Sequence, residues 1–152
     1  SKQAIKYAKE ALKNGACIVT DTNMGKAGIN KKALARYGGE VYCFMADEDV
    51  AAEAKRRNTT RAAVSMEKAA KLHKNCIYAI GNAPTALIRL YELIQEKSVQ
   101  PKLVIGVPVG FVNVVEAKEF ILKTEVPYIV ARGRKGGSNV AAAICNALLY
   151  EI

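Results

Sequence analysis

With 152 residues, of which 51% are hydrophobic and 24% charged, the chain reads as one globular domain and not as a disordered segment; a chain this long buries about 70% of its unfolded surface without needing staples. Its 23 Lys+Arg against 14 Asp+Glu give a net charge of +9, a bias toward anionic partners that leaves nucleic acid and acidic metabolites equally open. No apolar run reaches membrane-spanning length and no secretory leader pattern opens the sequence, so a cytoplasmic protein with no membrane partner is expected.

In chain order, residues 1–14 predict an amphipathic helix: Ala4, Ile5, Ala8, Ala11 and Leu12 share one face, with lysines opposite. Gly15 ends it. The chain opens at Ser1, inside that pattern and without an initiator methionine, so upstream residues are expected. "ACIVT" (Ala16 to Thr20) predicts a short buried strand, Asn30 to Tyr37 a small helix closed by Gly38-Gly39, and "VYCF" (Val41 to Phe44) a second strand. Asp47 is expected to cap a helix to about Arg57, and Thr59 or Thr60 to cap the next, ending near His73-Lys74. "CIYAI" (Cys76 to Ile80) is a third strand, followed by a helix that Pro84 starts and that runs to about Lys97. "KLVIGV" (Lys102 to Val107) and "PYIVA" (Pro127 to Ala131) are the fourth and fifth strands, followed by helices over Asn113 to Lys123 and Ser138 to Tyr150.

Short apolar strands alternating with helices imply crossover connections and a parallel sheet covered on both faces, a doubly wound α/β sandwich over residues 1–152. The four cysteines, Cys17, Cys43, Cys76 and Cys145, have no metal-ligand spacing and read as buried free thiols. No histidine–carboxylate cluster stands out as a metal site, and no nucleotide motif is found: neither G-x-x-x-x-G-K-[ST] nor G-x-G-x-x-G after the first strand.

Ligands of such sheets bind beyond the carboxyl ends of the strands, and the unusual residues gather there. The first strand runs into Asp21-Thr22-Asn23-Met24, and the third into Gly81-Asn82-Ala83-Pro84-Thr85. The fourth runs into Pro108-Val109-Gly110-Phe111, and the fifth into Arg132-Gly133-Arg134-Lys135-Gly136-Gly137-Ser138. Glycines permit close backbone approach. A helix start at Ser138 offers N–H groups to an anion, and Arg132 and Arg134 can fork onto carboxylates. Against this stands a plain basic βα turn. Asp21 either faces the cleft or caps the turn after it. Arg61 sits in the first turn of a helix, the unfavourable end for a cation, and serves either a ligand or solvent. The only histidine, His73, reads as a surface residue near a helix end.

Three of these blocks, "IGNAPTAL" (Ile80 to Leu87), "GVPVGFVNVVEAKE" (Gly106 to Glu119) and "RGRKGGSNVAAAICNAL" (Arg132 to Leu148), resemble the signature segments of the precorrin-8X and cobalt-precorrin-8 methylmutases. "DTNMGKAGI" (Asp21 to Ile29) and "NTTRAA" (Asn58 to Ala63) match in order and spacing, so the resemblance spans the chain. It implies a flavodoxin-like three-layer sandwich with a five-stranded parallel sheet. The implied activity is an isomerase of cobalamin biosynthesis that moves a methyl group from C-11 to C-12 of a tetrapyrrole without any cofactor. It implies a homodimer with the site near the interface.

On this resemblance the substrate-binding set is Asp21, Met24, Thr60, Arg61, Asn82, Thr85, Pro108, Val109, Gly110, Phe111, Arg132, Arg134, Lys135 and Ser138. The cationic loops would grip the ring carboxylates, while Met24, Pro108, Val109 and Phe111 pack on the macrocycle or serve as ordinary loop packing. The family's proton-donating histidine falls in a segment upstream of Ser1, and His73 matches no family motif. A non-catalytic tetrapyrrole-binding relative is the alternative. A nucleic-acid module is the remaining one, disfavoured because aromatics do not interleave with the basic runs.

Overall fold

The computed structural model describes residues 3–110 and 113–152. Phe111, expected at the site, lies outside the described residues. Five strands, β1 (Cys17–Thr20), β2 (Val41–Tyr42), β3 (Cys76–Ile80), β4 (Leu103–Gly106) and β5 (Tyr128–Val130), pair in the order β2-β1-β3-β4-β5. All four pairings are parallel; Cys17 faces Cys76, Ile77 faces Leu103, and Val104 faces Tyr128. The order reverses direction between β1 and β3, so the carboxyl ends of those two strands flank the crevice where such sheets hold ligands.

Strand alternation builds two cores. Ile18, Ile77, Ala79, Leu103 and Ile105 face α1 (Ala4–Lys13), α3 (Lys31–Ala35) and α8 (Ser138–Tyr150). Val19, Tyr78, Ile80 and Val104 face α5 (Arg61–Ala70), α6 (Pro84–Gln95) and α7 (Val114–Leu122). Continuous apolar strands covered on both faces are what a parallel sheet requires. A satellite cluster of Val50, Ala54 and Val64 seats α4 (Glu48–Arg57) against α5. Burial pushes the Cys76 and Cys145 thiols up to about 12, so both stay protonated and serve as packing.

β3 and α8 fall where the sequence predicts them, whereas several boundaries move. The second strand ends at Tyr42 and does not reach Phe44. The fifth helix stops at Ala70, short of His73, whose positive φ of 52° breaks the helical path. A short helix, α2 (Asn23–Gly28), occupies what the sequence presents as a loop; Thr22 caps it, its hydroxyl accepting the Gly25 N–H at 2.9 Å. Asp47 precedes α4 but does not cap it with its side chain; its carboxylate accepts from Lys68 instead, at 2.8 Å.

Candidate functional site

At the carboxyl edge of the sheet, four loops are stitched into one surface. Asp21, 1% exposed, turns inward from the tip of β1. Its carboxylate accepts the N–H groups of Gly81, Asn82 and Ala83 at 2.9, 2.9 and 2.6 Å. Burial raises its carboxyl above the ordinary 3.8, against the opposing pull of those three donors. Both oxygens are thus committed to the loop after β3. Asp21 therefore neither faces the cleft nor caps its own turn, but locks the crevice between β1 and β3.

The next stitch joins Thr22 and Ser138, whose hydroxyls are 2.8 Å apart. Gly81 lies against the start of α8 so closely that a Cβ there would sit 2.5 Å from the Gly137 carbonyl oxygen. Gly136 presses on the Val107 carbonyl in the same way, and a Cβ there would overlap it. The Gly137 N–H donates to Val107 O at 2.9 Å, and the Gly110 N–H to Arg134 O at 3.2 Å. The glycines of these two loops serve backbone-to-backbone contact that a side chain would prevent.

The expected site residues divide by what this surface does with them. Arg132, Arg134 and Lys135 are exposed on the loop before α8, with Arg132 paired to Glu119 of α7 at 3.1 Å. Asn82 is exposed on the loop after β3. Met24 on α2 is 71% exposed and Val109 is also exposed. Ser138 and Pro108 are buried and act from within the frame; Pro108 therefore does not offer a face for a macrocycle.

Thr60 caps α5 by accepting the Ala63 N–H at 3.1 Å, and its hydroxyl meets that of Thr85 at 3.5 Å. Both line a hollow of about 460 Å³ with Arg57, Glu67, Arg89 and Glu92. Arg61, also exposed at the start of α5, makes no hydrogen bond or ion pair to any described residue. His73 lies at the opposite, amino edge, lining a hollow with Gly15, Gly38 and Asn75. A further hollow of about 670 Å³ also lies at that end, where Pro101 and Pro127 lead into β4 and β5.

Two residues that sequence reasoning passes over shape the site. Thr22 joins α2 to α8. Lys118 of α7, 1% exposed, donates from Nζ to the carbonyls of Gly133 at 2.8 Å and Lys135 at 2.9 Å. Burial pulls its ammonium below the ordinary lysine range. In the sequence it stands in "EAKE", at the end of the Gly106 to Glu119 block that carries the resemblance, with no role assigned to it.

The sequence of this chain matches the family model described as precorrin-8X methylmutase over residues 1–151. It is 48% identical to the cobalt-precorrin-8 methylmutase of Leptospira interrogans, over 97% of this chain and 70% of that protein. It is 49% identical to that of Priestia megaterium, over 95% of this chain and 64% of that protein. The chain thus spans about two thirds of the length of these relatives. The crystal structure of precorrin-8X methylmutase from Thermus thermophilus superposes with a TM-score of 0.91 at 40% identity, covering 99% of this chain and 72% of that one. Given a family-model match along nearly its full length and the close superposition, the chain belongs to the precorrin-8X methylmutase family.

Proposed function

We propose that this chain is an isomerase of cobalamin biosynthesis that converts precorrin-8X, or its cobalt form, to hydrogenobyrinate or cobyrinate. The observation that carries the reading is the stitched rim: four loops, three cationic side chains and the start of α8 held as one surface at the switch between β1 and β3. In the reaction the bond from the methyl carbon to C-11 breaks as the bond to C-12 forms, with the π electrons of the ring shifting in concert. No nucleophile or redox partner is consumed. The protein's share is to hold the macrocycle in the reactive geometry and to favour a protonated ring.

Arg132, Arg134 and Lys135 take the peripheral carboxylates. Met24 and Val109 offer apolar contact to the ring. Asp21, Thr22 and Ser138 fix the loops that carry these groups. The resemblance implies that the proton comes from a histidine of a segment that would lie ahead of Ser1; His73, at the opposite edge, is not assigned that role. We further propose a homodimer whose interface borders this rim, supported by the exposed apolar side chains of Met24, Val109 and Val115 there.

Hydrogenobyrinate added to the protein should perturb its visible absorption with a fixed stoichiometry, and precorrin-8X should turn over when the histidine-bearing segment is supplied. An unperturbed spectrum together with tight, salt-sensitive oligonucleotide binding would favour the nucleic-acid reading instead. Sedimentation equilibrium should return twice the 16.4 kDa chain mass.

A further inference from the structure

Lys118 is a buried cation with an unusual pair of partners. It lies in the second turn of α7, 1% exposed, and no described carboxylate forms an ion pair with it. Its Nζ donates to the carbonyls of Gly133 and Lys135, which flank Arg134. The carbonyl of Arg134 itself is held by the Gly110 N–H. Three successive carbonyls of the basic loop are therefore drawn toward α7 and the loop before it.

In a trans peptide the N–H points opposite to the C=O. Holding the carbonyls of Gly133 and Arg134 therefore fixes the peptide planes on either side of Arg134, and with them the direction in which its side chain leaves the loop. An ammonium without a counter-carboxylate in a low-dielectric setting also adds its own positive potential to that surface. Leaving such a charge buried is unfavourable unless something is gained, and burial does pull it below the ordinary lysine range.

We propose that Lys118 is a positioning residue for substrate. By holding the Gly133 and Lys135 carbonyls it sets the position from which the Arg134 side chain meets a carboxylate of the macrocycle. This rests on the tetrapyrrole reading above and adds to it an organising residue for the anion grip.

The test titrates hydrogenobyrinate by visible absorption into wild type, Lys118→Met, Arg134→Ala and the double variant, with folding checked by circular dichroism. Lys118→Met should weaken binding about tenfold, the scale of one lost charge-assisted contact. Arg134→Ala should weaken it about tenfold in wild type but less than about threefold once Lys118 is gone, because coupled residues are non-additive. A merely structural lysine would leave the two effects multiplicative, and that result, or unchanged affinity in Lys118→Met, overturns the proposal. If Lys118→Met does not fold, Lys118→Gln, which keeps N–H donors but no charge, carries the same coupling test. Wild type that does not bind hydrogenobyrinate overturns the tetrapyrrole reading and this proposal with it, whereas wild-type binding with additive variants overturns this proposal alone.

Discussion

If the rim holds substrate as proposed, its side chains divide into those that grip and those that brace, and substitution should separate them. On the proposed reading Arg132 is a gripper: its side chain is 72% exposed and, among the described residues, its ion pair is with a partly exposed Glu119. Surface pairs of this kind contribute about 0–1 kcal/mol. Arg132→Ala should therefore leave the thermal midpoint nearly unchanged while weakening hydrogenobyrinate binding about tenfold, near 1.4 kcal/mol. Unaltered affinity would remove Arg132 from the grip. Asp21 is a brace. Asp21→Asn sets an amide NH2 among three N–H donors, and denaturation in urea should report a loss of about 1–3 kcal/mol. The pH dependence has a definite sign. The folded carboxyl is raised above 3.8, so the folded state holds its proton longer, and the associated stability is present below 3.8 and lost as pH rises through the folded value. The stability gap between wild type and Asp21→Asn should hence narrow as pH climbs from 3.8.

Elements are tied across the α5–α6 face by a charged clip. Glu67 of α5 accepts from Arg57 of α4 at 2.6 Å and from Arg89 of α6 at 2.9 Å. The Arg57 hydrogen bond, more than any other contact, holds the Glu67 carboxyl below its ordinary 4.5. Its stabilising share is present above 4.5 and lost as pH falls through the folded value. Glu67→Gln should cost about 1–2 kcal/mol at neutral pH and should flatten the acid limb of the stability profile below 4.5; an unchanged limb would assign acid sensitivity elsewhere. β3 and α8 were legible in the sequence because Gly81 to Pro84 and Gly136-Gly137 punctuate strong apolar runs. The helix α2 was not: "NMGKAG" has two glycines and no apolar period. It persists because Thr22 caps it and Gly28 lets it close on Ala142 of α8, both of them tertiary or capping facts. Lys118 was hidden for a related reason. Nothing in "EAKE" distinguishes a lysine that faces water from one that faces a neighbouring loop, and only the packing of α7 beside β5 decides it.

At the scale of the molecule, the rim gathers positive side chains onto a protein of net charge +9. A polycarboxylate ligand should feel both, so the hydrogenobyrinate dissociation constant should rise steadily between about 0.01 and 0.15 M salt, as the screening length falls from about 30 to 8 Å. Affinity indifferent to salt would mean that apolar contact with the macrocycle dominates. The bonds that complete the rim are also very long-range. Thr22 to Ser138, and the Asn30 N–H to Asn146, each join residues 116 apart, and Asn146 also reaches back to the Gly28 carbonyl at 2.9 Å. Synthesis proceeds from the amino end and early segments begin folding first, yet Thr22 and Asn30 find these partners only in α8. A nascent chain halted before Ser138 can pair β1 with β3 but has no surface for the pigment. Competence to bind should therefore arrive in a single step, once α8 has been made.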